Sequence, residues 1–180
     1  MLKAAFRSPL MACIIGLGTI LFSACSHATT LKEGNTAPTF SAKDHTGADF
    51  ALSSRKGSWT VLFFYPKAGT PGCTKQACAF RDNIKKIREQ GAEVFGISTD
   101  SIEAQAAFHK EHRLTFPLLS DADGRIAVLY GSKLPAISMA KRWTFIIDPE
   151  LKIRAIDRDV DPVMDAQKVA DRLRSFKTPK

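Results

Sequence analysis

Glycine and proline are sparse, at 11 and 9 of 180 residues, which excludes a collagen-like or low-complexity chain. Cysteine is sparser still, with four. One core in a chain of this length buries about 70% of its unfolded surface, so neither disulfide nor metal staples are needed. The apolar run Leu10 to Ala24 stops after 15 residues, short of the roughly 20 that a comfortable membrane span requires. His27, His45, His109 and His112 include no His-x-x-Glu-His or paired Cys/His spacing, so no metal site is expected. His109 and His112, three apart, read as an exposed helix pair. Gly69 to Gly72 lacks the Lys-Ser/Thr that a phosphate-binding loop needs. No internal repeat is present.

The composition has a positive excess, +8 overall, but it is scattered. Lys85-Lys86-Arg88 and Lys110 to Arg113 are interrupted by Glu89 and Glu111. No basic stripe interleaved with aromatics appears, so these are solvated helix faces and nucleic acid is not an expected partner.

Lys3 and Arg7 ahead of the apolar run have the form of an export signal. Cleavage after Ser26-His27-Ala28 would release a soluble periplasmic protein beginning at Thr29. A second route uses Leu21-Phe22-Ser23-Ala24-Cys25 as a lipobox, with Cys25 lipidated and the protein anchored in the cell envelope. Phe22, where that pattern usually has Leu, favours the first route. Residues 1–28 are therefore expected to be a signal and residues 29–180 a single domain, touching membrane only if Cys25 carries lipid. After cleavage at Ala28, two cysteines remain, Cys73 and Cys78, in an oxidising compartment.

The mature chain alternates strand-like and helical patterns. Thr39 to Ala42 and Asp49 to Leu52, around Asp44 to Gly47, predict an N-terminal β-hairpin. Val61-Leu62-Phe63-Phe64-Tyr65 is a continuous apolar run stopped by Pro66, the pattern of a central strand covered on both faces. Ala77, Phe80, Ile84 and Ile87 then recur at helical spacing up to Gly91. Val94 to Ile97 follows as a strand. Asp100 with Glu103 suggests a capping box for a helix through His112, and Phe116 to Leu119 is a further apolar run. Asp123 to Tyr130 is ambiguous. Arg142 to Ile147 and Lys152 to Ile156 predict antiparallel strands across Asp148-Pro149. Asp161 as N-cap and Pro162 at the first helical position precede Ala166, Val169, Leu173 and Phe176 on one helical face. Together these predict an α/β fold with a central mixed sheet flanked by helices.

The chemistry concentrates in Pro66-Lys67-Ala68-Gly69-Thr70-Pro71-Gly72-Cys73-Thr74-Lys75-Gln76-Ala77-Cys78. Cys73 falls in the first turn of the predicted helix, where unpaired N–H groups and the positive end of the dipole favour thiolate, the nucleophilic form. Thr70 can direct a hydroxyl towards that sulfur, and Pro66 and Pro71 stiffen the loop. In a continuous helix, Cys78 stands about 8.7 Å from Cys73 between Cα atoms, beyond the roughly 7 Å limit for a disulfide. Pairing them requires the first turns to unwind. A structural disulfide, two separate thiols and a redox pair all remain open on these residues alone.

Tyr65 to Asp82 resembles the active-site loop of the peroxiredoxins, and more narrowly the bacterioferritin-comigratory-protein or PrxQ group. Pro66, Thr70 and Cys73 match Pro-x-x-x-Thr-x-x-Cys, and Cys78 matches the group's second cysteine. Gly34-Asn35-Thr36-Ala37-Pro38-Thr39-Phe40 and Arg142 in Lys-Arg-Trp-Thr-Phe-Ile-Ile-Asp extend the likeness over nearly all of the mature chain. Gly69 stands where many members have Asp, and Gly131 to Ala140 lacks the longer, Tyr- and Gly-containing insert common in cytosolic members.

The resemblance implies a thioredoxin-like fold and a thiol peroxidase that needs no cofactor. Cys73 would attack the peroxide, Cys78 would resolve the sulfenic acid, and Pro66, Thr70 and Arg142 would shape and charge the pocket. It further implies a thioredoxin-like dithiol reductant and a monomer, since resolution is within one chain. Two other readings compete. A thioredoxin-type disulfide oxidoreductase would use Cys-x-x-Cys, where this chain has four intervening residues. A copper-binding redox module would use two thiolates and a histidine.

Overall fold

The computed structural model describes residues 30–177; the predicted signal, with Cys13 and Cys25, lies outside the described residues. Seven strands form one mixed sheet, β1 (Ser41–Asp44), β2 (Asp49–Ala51), β3 (Trp59–Phe64), β4 (Ala92–Ser98), β5 (Leu118–Ser120), β6 (Trp143–Ile147) and β7 (Ile153–Asp157). Their order is β2-β1-β5-β4-β3-β6-β7. The pairs β3–β4 and β4–β5 are parallel; the rest are antiparallel. Helices α1 (Pro71–Arg88), α2 (Ile102–Glu111), α3 (Arg125–Leu129) and α4 (Asp165–Lys177) complete the fold.

The apolar run ahead of Pro66 is covered on both faces because its side chains alternate between two cores. Val61, Phe63 and Tyr65 pack with Ala77, Phe80 and Ile87 of α1, Phe108 of α2, and Val169 and Leu173 of α4. Leu62 and Phe64 point the other way, to Phe95, Ile126, Tyr130 and Phe145. Gly96 on β4 is required by this packing, since a Cβ there would come within 2.7 Å of both Phe63 and Leu118 side-chain atoms.

Several boundaries differ from the sequence expectation, each for a local reason. The first hairpin strand begins at Ser41 rather than Thr39, and the carboxylate of Asp44 accepts from Thr46 N and Ala48 N to make the turn. Helix α2 is capped by Ser101, whose hydroxyl accepts from Ala104 N, and not by Asp100. The Asp100 carboxylate is engaged elsewhere, as described below. Asp161 accepts from Val163 N and Met164 N as predicted, but the regular helix begins only at Asp165. The ambiguous segment forms α3, with Arg125 N donating to Asp123 Oδ1 and the Ile126 and Ala127 amides to the Asp121 carboxylate. His109 is not simply exposed: its ring stacks on His45 at 3.8 Å, and burial holds both imidazoles below the usual histidine range.

Among the described residues, no helix is long and apolar enough to cross a membrane, and no group of three His, Cys, Asp or Glu side chains is placed to hold a metal.

Candidate active site

The site forms where β3 and β4 end, the edge at which open α/β sheets place their ligand crevices. Pro66 interrupts the chain one residue beyond Tyr65, whose N–H still pairs with Ile97 O of β4 at 3.0 Å. Gly69 turns the loop with φ of +75°, a conformation available to glycine at little cost. Thr70 is then the N-cap of α1, with Pro71 at the first helical position. Its hydroxyl does not cap the helix; it donates to Lys67 O at 2.9 Å. Cap residues normally accept an amide of the first turn. Here Gly72 and Cys73 amides receive no such side-chain acceptor, so they stay directed at the mouth of the helix.

Cys73 is almost fully buried, in the first turn of α1. Cys78, on the same continuous helix, is half-buried, and both are free thiols. The continuity from Pro71 to Arg88 upholds the helix geometry read from the sequence, and with it the need to unwind before the two sulfurs can meet.

Arg142, 69 residues away, reaches the site from the residue preceding β6. Its Nη2 lies 3.6 Å from Cys73 Sγ. Its Nη1 donates to Gln76 Oε1 at 2.6 Å. Gly72 makes this approach possible, since a Cβ at that position would stand 3.0 Å from Nη2. A guanidinium beside a sulfur and a helix N-terminus is an arrangement that stabilises negative charge, on the sulfur and on any oxygen leaving from it.

Two buried polar chains lie behind these groups, and sequence reasoning missed both. In the first, Gln76 Nε2 donates to Asp165 Oδ2 at 2.6 Å, and Thr144 Oγ1 donates to the same oxygen at 2.8 Å. Burial raises the Asp165 carboxyl to about 6, against the lowering effect of those two hydrogen bonds. In the second, the Tyr65 hydroxyl donates to Gln105 Oε1. Gln105 Nε2 donates to Ser98 Oγ at 2.8 Å, and Ser98 Oγ to Asp100 Oδ2 at 2.7 Å. That carboxylate also accepts from Ala68 N, in the Pro66–Thr70 loop, at 2.8 Å. Burial pushes the Tyr65 phenol well above its ordinary range, so it remains a neutral donor. The available signal was position: Gln76 is a polar residue on the otherwise apolar stripe Cys73, Ala77, Phe80, Ile87 of α1.

Residues 34–156 match the AhpC/TSA family. The chain is 44% identical over 117 residues to the chloroplastic peroxiredoxin Q of Sedum lineare, covering 64% of this chain and 63% of that one. It thus spans less than two thirds of the length of the plant relatives it matches. Among solved structures, the peroxidoxin BcpB of Mycobacterium tuberculosis superposes with a TM-score of 0.77 at 39% identity, over 82% of this chain and 99% of that chain. The Xanthomonas campestris bacterioferritin comigratory protein, described for its alkyl peroxide reduction activity, gives a TM-score of 0.73 at 26% identity, over 77% and 92%.

Proposed function

The chain belongs to the AhpC/TSA family, and on that premise we propose that it is a thiol-dependent peroxidase acting on hydrogen peroxide and organic hydroperoxides. The observation that carries the reading is the Arg142 guanidinium 3.6 Å from a buried Cys73 sulfur at the start of α1. The Cys73 thiolate attacks one peroxide oxygen in line with the O–O bond. An S–O bond forms, the O–O bond breaks, and the leaving oxygen takes a proton from solvent, equivalent to the one Cys73 gave up as thiolate, to depart as water or alcohol. Arg142 and the Gly72 and Cys73 amides meet the charge that grows in that step. Thr70 holds the loop through Lys67 O, and Pro66 removes an amide that would otherwise compete.

Cys73 is left as a sulfenic acid. The first turns of α1 then unwind, Cys78 attacks the Cys73 sulfur, and a disulfide forms with loss of water. An external thioredoxin-like dithiol reduces that disulfide and is itself oxidised. Resolution within one chain requires no second copy, so the protein works as a monomer. It serves antioxidant defence in the cell envelope. Lys3, Arg7 and the run Leu10 to Ala24 support export, with residues 1–28 removed, or with Cys25 lipidated.

The test is intact-mass analysis of reduced protein after one equivalent of hydrogen peroxide. Wild type should lose about 2 Da as the disulfide forms, and Cys78→Ser should gain about 16 Da as the sulfenic acid. An unreactive wild type, or a Cys73→Ser variant that reacts as fast, overturns the reading.

A further inference from the structure

The guanidinium of Arg142 must be held as well as present, and the hydrogen bonds that hold it run away from the pocket. Gln76 has an amide with one accepting and one donating end. Its oxygen faces Arg142 Nη1 at 2.6 Å only because its nitrogen faces the opposite way, to Asp165 Oδ2, also at 2.6 Å. A flipped amide would set its NH2 against the guanidinium, donor to donor. Gln76, Thr144 and Asp165 are all buried, at 0%, 2% and 1% exposure, so each depends on the others for its hydrogen bonds.

We propose that Asp165, a residue of α4 that does not touch the pocket, is a positioning residue for the peroxide reaction: it fixes the Gln76 amide in the orientation that anchors Arg142 beside Cys73. This rests on the peroxidase reading above and deepens it. The chain of contacts is short and directional, from Asp165 on α4, to Gln76 on α1, to Arg142 ahead of β6, to the Cys73 sulfur. Thr144 of β6 supplies a second donor to the same carboxylate oxygen, so α4 is registered against both the helix and the strand that carry the site.

Charged groups face Asp165 from several elements. Asp157 on β7 opposes its ionisation and Lys168 on α4 favours it, with Arg172 lining the same crevice and Arg142 beyond Gln76. Burial outweighs the favourable contacts, which is why the carboxyl titrates at about 6. A protonated Asp165 gains a donor, and that donor can compete with Arg142 for Gln76 Oε1. The orienting effect should therefore weaken in mild acid.

The test measures the second-order rate of reduced protein with hydrogen peroxide, in single turnover, for three variants beside wild type. Asp165→Leu removes the acceptor and should react about tenfold more slowly at pH 8 while remaining folded by circular dichroism. Gln76→Glu sets two carboxylates against each other. It should also lose about tenfold at pH 8 and recover towards pH 5.5, where one proton can sit between them. The exchange Gln76→Glu/Asp165→Asn restores a complementary pair, with the Asn amide donating to one Glu oxygen and Arg142 to the other. It should return to within about threefold of wild type at pH 8. A folded Asp165→Leu protein with the wild-type rate overturns the proposal, as does a folded exchange variant no faster than Gln76→Glu alone. Should Asp165→Leu fail to fold, the comparison of Gln76→Glu with the exchange variant decides. A wild type that consumes no peroxide sinks the peroxidase reading itself, an outcome separate from a reactive wild type that is indifferent to position 165.

Discussion

The two faces of the central sheet are built from the same strands and put their buried groups to different ends. Leu62 and Phe64 of β3 enter a layer of Phe95, Tyr130, Phe145, Ile147 and Ile153, where rings meet edge-on and the Tyr130 phenol turns outward to Pro38 O. Their neighbours Val61, Phe63 and Tyr65 enter a core that also contains Cys73, and around it lie Gln76, Ser98, Gln105, Thr144 and Asp165. Burying polar side chains carries a desolvation cost that their hydrogen bonds must offset, and a larger one when the group is a carboxylate. The second face gathers that cost behind one sulfur, in the chain from Arg142 through Gln76 to Asp165 and Thr144 and in the chain from Tyr65 through Gln105 and Ser98 to Asp100. The first face buries a carboxylate as well, Asp121 on the amides of Ile126 and Ala127, and its ring layer supplies apolar burial that can offset the cost. Stability and chemistry are thus divided across a single sheet.

The division can be broken from either side. The largest effect belongs to Cys73→Ser, which should lower the rate with peroxide by more than about a thousandfold, because Cys73 is the thiol that the Arg142 guanidinium faces. Its denaturation midpoint in urea should move little, which checks that the loss is chemical. On the opposite face Phe145→Ala should do the reverse. It deletes a fully buried ring that packs against Phe64 and Tyr130, and should destabilise the fold by about 3 to 5 kcal/mol. The peroxide rate per folded molecule should stay within about twofold of wild type. Arg142→Lys is next. Lysine keeps the charge but cannot bridge Gln76 Oε1 and the Cys73 sulfur at once. A rate loss of about a hundredfold is expected, and a loss under threefold would remove Arg142 from the mechanism.

The two faces also differ in how far the sequence disclosed them. The apolar face follows from pattern alone: an unbroken Val61 to Tyr65 run needs cover on both sides, and the helical stripes on α1 and α4 supply one of them. Pro66, Thr70, Cys73 and Cys78 were legible because they share one loop and one helix. Arg142 was reached only through resemblance, since nothing local says that a residue 69 positions away returns to Cys73. Asp165 falls within the last helical pattern and gives no local sign of its role, and Asp100 reads as a cap. Their partners come from other elements, across 89 positions to Gln76 and 32 to Ala68. A short polar side chain has a local and a distant use, and sequence spacing describes only the local one. The same limit hid the antiparallel pairing of β1 with β5, which joins the N-terminal hairpin to the sheet.

The smallest expected effect probes the cost directly. Burial raises the Asp165 carboxyl from an ordinary value of 3.8 to about 6 in the folded protein. A carboxyl raised by folding binds its proton more tightly in the native state than in the unfolded one. Its contribution to stability is fully present below pH 3.8 and is lost as pH rises through 6. At pH 7.5 the ionised, buried group therefore counts against the fold. Asp165→Asn keeps an oxygen for Thr144 and Gln76 but cannot ionise. Relative to wild type it should gain about 2 kcal/mol in unfolding free energy between pH 4 and pH 7.5, read from urea titrations at both values. Phe145→Ala should show no such pH-dependent difference from wild type. If the Asp165→Asn difference is flat across that range, the carboxyl is not held at a cost, and the contrast between the two faces loses its electrostatic half.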